Sequence, residues 1–221
     1  MIPLRDIVPS RTVPFTTIGI IALNAVAFLF ELSLPDASLE PFLRLYAVVP
    51  AILSWPTIFS SMFLHGGWLH FLGNMLYLWI FGDNVEDRLG HGRFLSFYLL
   101  CGAVAAIAHV AVNPQSTLPT IGASGAIAGV MGAYFVLYPH SRILTLIPLF
   151  VFWELIEVPA IFFLGFWFLM QLFSGVGSIA LDAGARSGGI AFWAHIAGFV
   201  TGVGGVFVFR RQERQRVEWW S

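Results

Sequence analysis

Read for hydrophobic and polar positions, the chain is a series of long uncharged runs cut by short polar or proline-bearing segments. The first run follows Arg5 and Arg11 and predicts a helix over 13–31, close to the roughly 20 residues a bilayer crossing needs. Glu31-Leu32-Ser33-Leu34-Pro35 comes next and offers no small-x-small cleavage site, so the run is read as a retained span rather than a signal peptide. From Pro35 to Trp68 the chain is too apolar for a solvated loop, yet Pro35, Pro41, Pro50 and Pro56 interrupt any long helix. Aromatics such as Trp55 and Phe59 favour the headgroup region, so this stretch is expected to be a long interfacial first loop.

Five further helices are predicted, over 69–84, 94–112, 124–138, 159–173 and 190–209. The second closes in the charged Gly82 to Arg88 segment, the third at Asn113-Pro114 and the fourth at Pro139-His140-Ser141-Arg142. Ile143 to Val158 is apolar but broken by Pro148, Glu154 and Glu157, and is not expected to span. Pro159 suits the first turn of a helix, where its missing N–H costs nothing. Ser174 to Gly189 is glycine-rich and reads as a loop. The expectation is an all-α polytopic membrane protein, one six-transmembrane domain over 1–221.

Composition agrees with that class: 58% of the 221 residues are hydrophobic and 10% charged, against about 25% charged in a soluble domain. Net charge is −1 with no basic tract, which excludes a nucleic-acid partner. The lone Cys101 can form no intramolecular disulfide. All the positive charge is arginine. Arg5, Arg11, Arg88, Arg93, Arg142, Arg210, Arg211, Arg214 and Arg216 fall on one side of a six-span arrangement, leaving Arg44 and Arg186 on the other. That bias predicts both termini on the cytoplasmic side, with Trp219 and Trp220 in an interfacial tail.

Candidate chemistry centres on Gly122-Ala123-Ser124-Gly125, a serine where a polar loop becomes an apolar helix. Ser124 precedes Pro139 by about 15 residues, roughly 22 Å of helix against a hydrocarbon core of about 30 Å, so it is expected below the outer surface. His195, before Arg210, and His70, before Asp83, fall at a similar depth, with Asn74 one turn deeper than His70. Small residues line one face of each of two helices, Gly125, Ala128, Gly129 and Gly132 on one and Ala194, Gly198 and Gly202 on the other. Such faces let backbones touch, which would bring Ser124 and His195 within hydrogen-bond reach. A serine hydroxyl needs a base to become a nucleophile, and a histidine suits that task. No acidic residue is positioned to orient His195, so a Ser–His dyad is expected. His70, Asn74 and the Ser124 backbone N–H could hold an oxyanion, helped by the positive ends of three helices. Polar groups at this depth require a water-lined cavity.

These residues resemble the rhomboid intramembrane serine proteases. The resemblance rests on Gly122-Ala123-Ser124-Gly125, on His70-Phe71-Leu72-Gly73-Asn74, on Ala194-His195-Ile196-Ala197-Gly198 and on the six-span pattern with its long first loop. The stretches from His65 to Gly92 and from Gly122 to Phe135 look like those of a bacterial rhomboid. The motif differs from the soluble-hydrolase elbow, because Ala126 stands where the second glycine would be needed. The resemblance implies cofactor-free hydrolysis of peptide bonds in or near the transmembrane segments of single-span proteins, in a bacterial cytoplasmic (inner) membrane. Ser124 would be the nucleophile, His195 the general base and then acid, and His70, Asn74 and the Ser124 N–H the oxyanion donors. It further implies that the fifth helix and the loop after it gate substrate entry. Two features depart from the family: the Trp-Arg pair of the first loop is missing, and Ala128 replaces an aromatic that some members carry four residues after the serine.

Other polar residues have simpler expected roles. His65 is expected to stabilise the end of the first loop, His109 to be a buried hydrogen-bonding residue, and His91 and His140 to be solvated. Glu154 and Glu157 are expected near the interface, and Asp83, Glu86, Asp87 and Arg88 to form a helix-end charge network. No grouping has zinc-ligand spacing. The alternatives are a catalytically inactive rhomboid-like protein binding membrane clients, against which intact Ser124 and His195 argue, and a small transporter, for which the paired broken helices of inverted halves are missing.

Overall fold

The computed structural model describes residues 1–149, 152–180 and 191–210. Eight helices occur among them: α1 (Phe15–Ser33), α2 (Asp36–Tyr46), α3 (Thr57–Ser60), α4 (Trp68–Leu89), α5 (His91–Val112), α6 (Ser124–Leu137), α7 (Ala160–Ala180) and α8 (Phe192–Phe209). Four of them, α1, α5, α7 and α8, are long and apolar enough to cross a membrane. α4 has 22 residues but carries Asp83, Glu86, Asp87 and Arg88 in its last turns. α6 is apolar and shorter, at 14 residues.

α6 is the centre of the molecule. Every residue from Ala126 to Tyr134 is buried, because α4, α5, α7 and α8 pack around it. Its closest neighbour is α8. A Cβ on Gly198 would lie 2.1 Å from the Gly125 carbonyl oxygen, one on Gly202 1.9 Å from that of Gly129, and one on Gly132 2.2 Å from that of Phe199. The two backbones are in direct contact along the small-residue faces read from the sequence. In lipid, where burying apolar surface gains little, this close packing holds helices together.

α4 runs five residues past the predicted end at 84 because its charged turns are used by α1. The Glu86 carboxylate accepts from the Thr16 N–H (2.9 Å), the Thr17 N–H (2.8 Å) and the Thr17 hydroxyl (2.7 Å). Asp87 accepts from the N–H groups of Arg11 (2.6 Å) and Thr12 (3.0 Å) and from the Thr12 hydroxyl, and Asp83 from the Ser10 hydroxyl. The first N–H groups of a helix have no partner within it, and here a neighbouring helix supplies carboxylates to them. His91 is exposed, as expected, and its Nδ1 also lies 2.5 Å from Glu86 Oε1. His140 is exposed, as expected.

The all-α expectation needs correction. β1 (Ile2–Asp6), β2 (Arg142–Leu149) and β3 (Phe152–Pro159) form an antiparallel sheet in the order β1-β2-β3, with Arg142 opposite Pro159 and Ile2 opposite Leu146. Ile143 and Thr145 are buried, the alternation of a strand with one covered face. Glu157 is exposed and pairs with Arg142 at 3.3 Å. Tyr134 of α6 donates to Asp6 at 2.6 Å and lies 2.9 Å from the Ser141 hydroxyl, which ties β1 to the end of the central helix. α7 starts at Ala160, next to Pro159, and continues through 174–180, a stretch expected to be loop.

The segment between α1 and α4 is folded. It contains α2, α3 and two short 3-10 turns, Pro50–Ile52 and Ser61–Phe63. Val48 pairs with Thr120 through two backbone hydrogen bonds (3.1 and 2.8 Å), Ala51 N–H reaches Ser116 O at 3.0 Å, and Gly122 N–H reaches Ser61 O at 2.9 Å. The first loop therefore holds the loop that precedes α6. At its far end the Glu31 carboxylate accepts from the His65 N–H at 3.1 Å, and the His65 ring packs against Phe28, His70 and Phe71. That is the stabilising place expected for His65. Expectations for Arg186, Arg211, Arg214, Arg216, Trp219, Trp220, Ile190 and the rest of the loop before α8 lie outside the described residues.

Candidate active site

Ser124 is the first residue of α6, His195 lies in the first turn of α8, and His70 lies in the first turn of α4. The glycine contacts between α6 and α8 bring two of these first turns together. His195 Nε2 lies 2.8 Å from Ser124 Oγ. Ser124 and His195 are both half-buried on the wall of a cavity of about 850 Å³, which His70, Asn74, Trp167 and Gln171 also line. That volume falls within the roughly 300–1,000 Å³ of ligand pockets.

Gly122 shapes the other half of the site. Its φ of +126° lies in the left-handed region that side chains disfavour. A Cβ there would stand 2.7 Å from His70 Nε2 and 3.7 Å from Asn74 Nδ2, so glycine lets both side chains approach the loop beside Ser124. The Gly66 N–H donates to His70 Nδ1 at 3.4 Å. With Nδ1 accepting, the neutral ring carries its proton on Nε2, the nitrogen facing Gly122. Asn74 Nδ2 is buried and has no hydrogen-bond partner among the described residues. A buried donor left unpaired is costly, and this one belongs to a residue that lines the cavity. The Ser124 N–H belongs to the first turn of α6 and has no intrahelical partner. All four residues selected from the sequence thus meet at one end of the bundle.

Two contacts to His195 were not read from the sequence, and both come from α7. Gln171 Oε1 lies 2.8 Å from His195 Nδ1. The Trp167 ring stands 5.9 Å from the imidazole at an interplanar angle of 39°. Ala128, where an aromatic was missing, is buried in α6, and α7 supplies the aromatic neighbour instead. Trp167 and Gln171 are spaced i, i+4, so one helix face carries both. His109 behaves as expected of a hydrogen-bonding residue, with Nε2 2.9 Å from the Thr120 hydroxyl on the cavity wall.

The chain is similar to known proteins over most of its length. Residues 53–212 match the family model described as Rhomboid domain. Rhomboid protein 1, mitochondrial, of Saccharomyces cerevisiae is 31% identical over 182 residues, 79% of this chain and 49% of that protein. Rhomboid protease GluP of Bacillus subtilis is 34% identical over 122 residues, 54% of this chain and 24% of that protein. Presenilin-associated rhomboid-like protein, mitochondrial, of Homo sapiens is 31% identical over 144 residues, 62% of this chain and 37% of that protein. The chain spans about half or less of the length of these curated relatives.

Proposed function

Because the chain belongs to the rhomboid family, we propose that it is an intramembrane serine endopeptidase that cuts single-span membrane proteins in or near their transmembrane segments. The observation that carries this reading is the 2.8 Å contact between His195 Nε2 and Ser124 Oγ on the wall of a cavity inside an apolar bundle. A named protease among the relatives supports it. So does the retention of both reacting groups, which a client-binding, inactive relative has no need to keep.

In this mechanism Ser124 Oγ attacks the scissile carbonyl carbon while His195 Nε2 takes its proton. The carbonyl oxygen becomes an oxyanion, held by the Ser124 N–H, His70 Nε2–H and Asn74 Nδ2–H. His195 returns the proton to the departing amine as the C–N bond breaks. A water then enters the cavity, loses a proton to His195 and attacks the acyl-serine; His195 returns that proton to Ser124 Oγ as the ester C–O bond breaks. No metal or cofactor takes part in this scheme.

Six crossings are part of the proposal. α4 and α6 join the four longer apolar helices, and α2 and α3 lie in the interface between α1 and α4. Arginine placement is the argument for both termini lying on one, cytoplasmic side with the cavity opening to the opposite face; a bacterial inner membrane is part of the proposal. The fifth crossing, α7, would be the gate through which a substrate helix reaches Ser124.

The test is cleavage of a transmembrane reporter in liposomes by the purified protein. Wild type is expected to cut, and Ser124→Ala and His195→Ala to be inactive. Cleavage by Ser124→Ala would overturn the proposed nucleophile, and an inert wild type would leave client binding as the better reading.

A further inference from the structure

For His195 to act as a base, Nε2 must present a lone pair to Ser124, so Nδ1 must carry the proton of the neutral ring. An Nδ1–H in a bilayer needs an acceptor, or the ring gains by turning over to the wrong tautomer. Among the described residues the hydrogen-bond acceptor found for Nδ1 is Gln171 Oε1, at 2.8 Å. Serine hydrolases commonly meet this need with a carboxylate. Here no Asp or Glu lines the cavity among the described residues; the titratable groups around His195 are His70 and Tyr77 of α4 and His109 of α5.

Resting on the proposed peptidase activity, we propose that Gln171 is the positioning residue of the site, a neutral third member that fixes the tautomer and orientation of His195 through its Nδ1–H. The amide oxygen has a dipole and no charge. It favours the productive tautomer while stabilising the imidazolium less than a carboxylate would. Trp167, one turn earlier on α7, limits ring rotation from one side. Since both contacts come from α7, His195 is held for catalysis only while α7 is seated against α8.

The experiment compares wild type with Gln171→Ala and Gln171→Glu. One readout is phosphonylation of Ser124 by a fluorophosphonate probe, which reports serine activation without a protein substrate. The other is the pH profile of kcat and kcat/KM for the transmembrane reporter. Gln171→Ala is expected to lose about a hundredfold in labelling rate and kcat, the cost of a misplaced catalytic group, with KM and thermal stability unchanged. Gln171→Glu is expected to recover labelling. Its acid limb should move to higher pH by about one unit, because a carboxylate beside the ring favours the imidazolium.

Wild-type labelling rates in Gln171→Ala, or an acid limb in Gln171→Glu that stays where wild type has it, would overturn the assignment. Should Gln171→Ala fail to fold, the position of that limb in Gln171→Glu decides. A wild type whose Ser124 is not labelled overturns the proposed function and this assignment together, whereas equal labelling of wild type and Gln171→Ala overturns this assignment alone.

Discussion

Asn74 shows what a single residue contributes here. Its Nδ2 is buried without a partner among the described residues, an arrangement that costs stability in the resting protein and is repaid if the group meets an oxyanion during turnover. Asn74→Ala is therefore expected to lower kcat by about 10²–10³-fold, the usual cost of one such donor, with a melting temperature level with wild type or above it. Reporter cleavage and a thermal melt on the same preparation check both halves; an equal fall in stability and activity would make Asn74 structural. Ser124, His195, His70 and Asn74 were legible in the sequence because each is a polar group in an apolar run, placed near the start of a helix. Gln171 was not. It lies in the middle of its helix, 24 positions from His195, and no short motif links them; only the packing of α7 on α8 does.

At the scale of elements, the contact between α6 and α8 was also legible, because glycine at four-residue spacing marks a face where backbones meet. Gly202→Ala places a Cβ 1.9 Å from the Gly129 carbonyl oxygen, where only backbone movement relieves the clash. Such overpacking costs about 1–3 kcal/mol. Because the displaced helix also carries His195, melting temperature and Ser124 labelling are expected to fall together. Gly204→Ala, where no described residue outside its own helical turn lies within 4 Å of the added Cβ, is the matched control and should be neutral or slightly stabilising through helix propensity. Helix ends were harder to place than helix faces. The charges from Asp83 to Arg88 look like a terminus when read alone, yet they lie inside α4 because Glu86 meets the N–H groups at the start of α1 and Asp87 those of Arg11 and Thr12 just before it, some 70 positions earlier. The sheet was missed for a similar reason. Ile143 to Val158 reads as a broken apolar run until β1, at the other end of the chain, pairs with it.

That pairing gives the whole molecule a pH dependence of its own, separate from catalysis. Asp6 ends β1, accepts from Tyr134 at 2.6 Å and lies near Asp83. Burial, with a smaller contribution from the Asp83 charge, raises its carboxyl from 3.8 to about 6. A folded-state pKa above the unfolded one means that the folded protein holds the proton more tightly. The cost of the charged carboxylate is fully present above about pH 6 and disappears as the pH falls towards 3.8. Lowering the pH through that window should stabilise the attachment of β1 to α6. Asp6→Asn keeps an acceptor for Tyr134 and removes the charge. It is expected to melt about 2–4 °C above wild type at pH 8, the equivalent of about 1 kcal/mol for a protein of this size, and level with it near pH 4. Equal melting temperatures at both pH values would mean that the carboxylate is solvated at no cost. Because β2 and β3 lead directly into α7, which carries Trp167 and Gln171, Asp6→Asn also reports on reach: a firmer sheet that leaves Ser124 labelling unchanged would place the seating of α7 under the control of α8 rather than of the sheet.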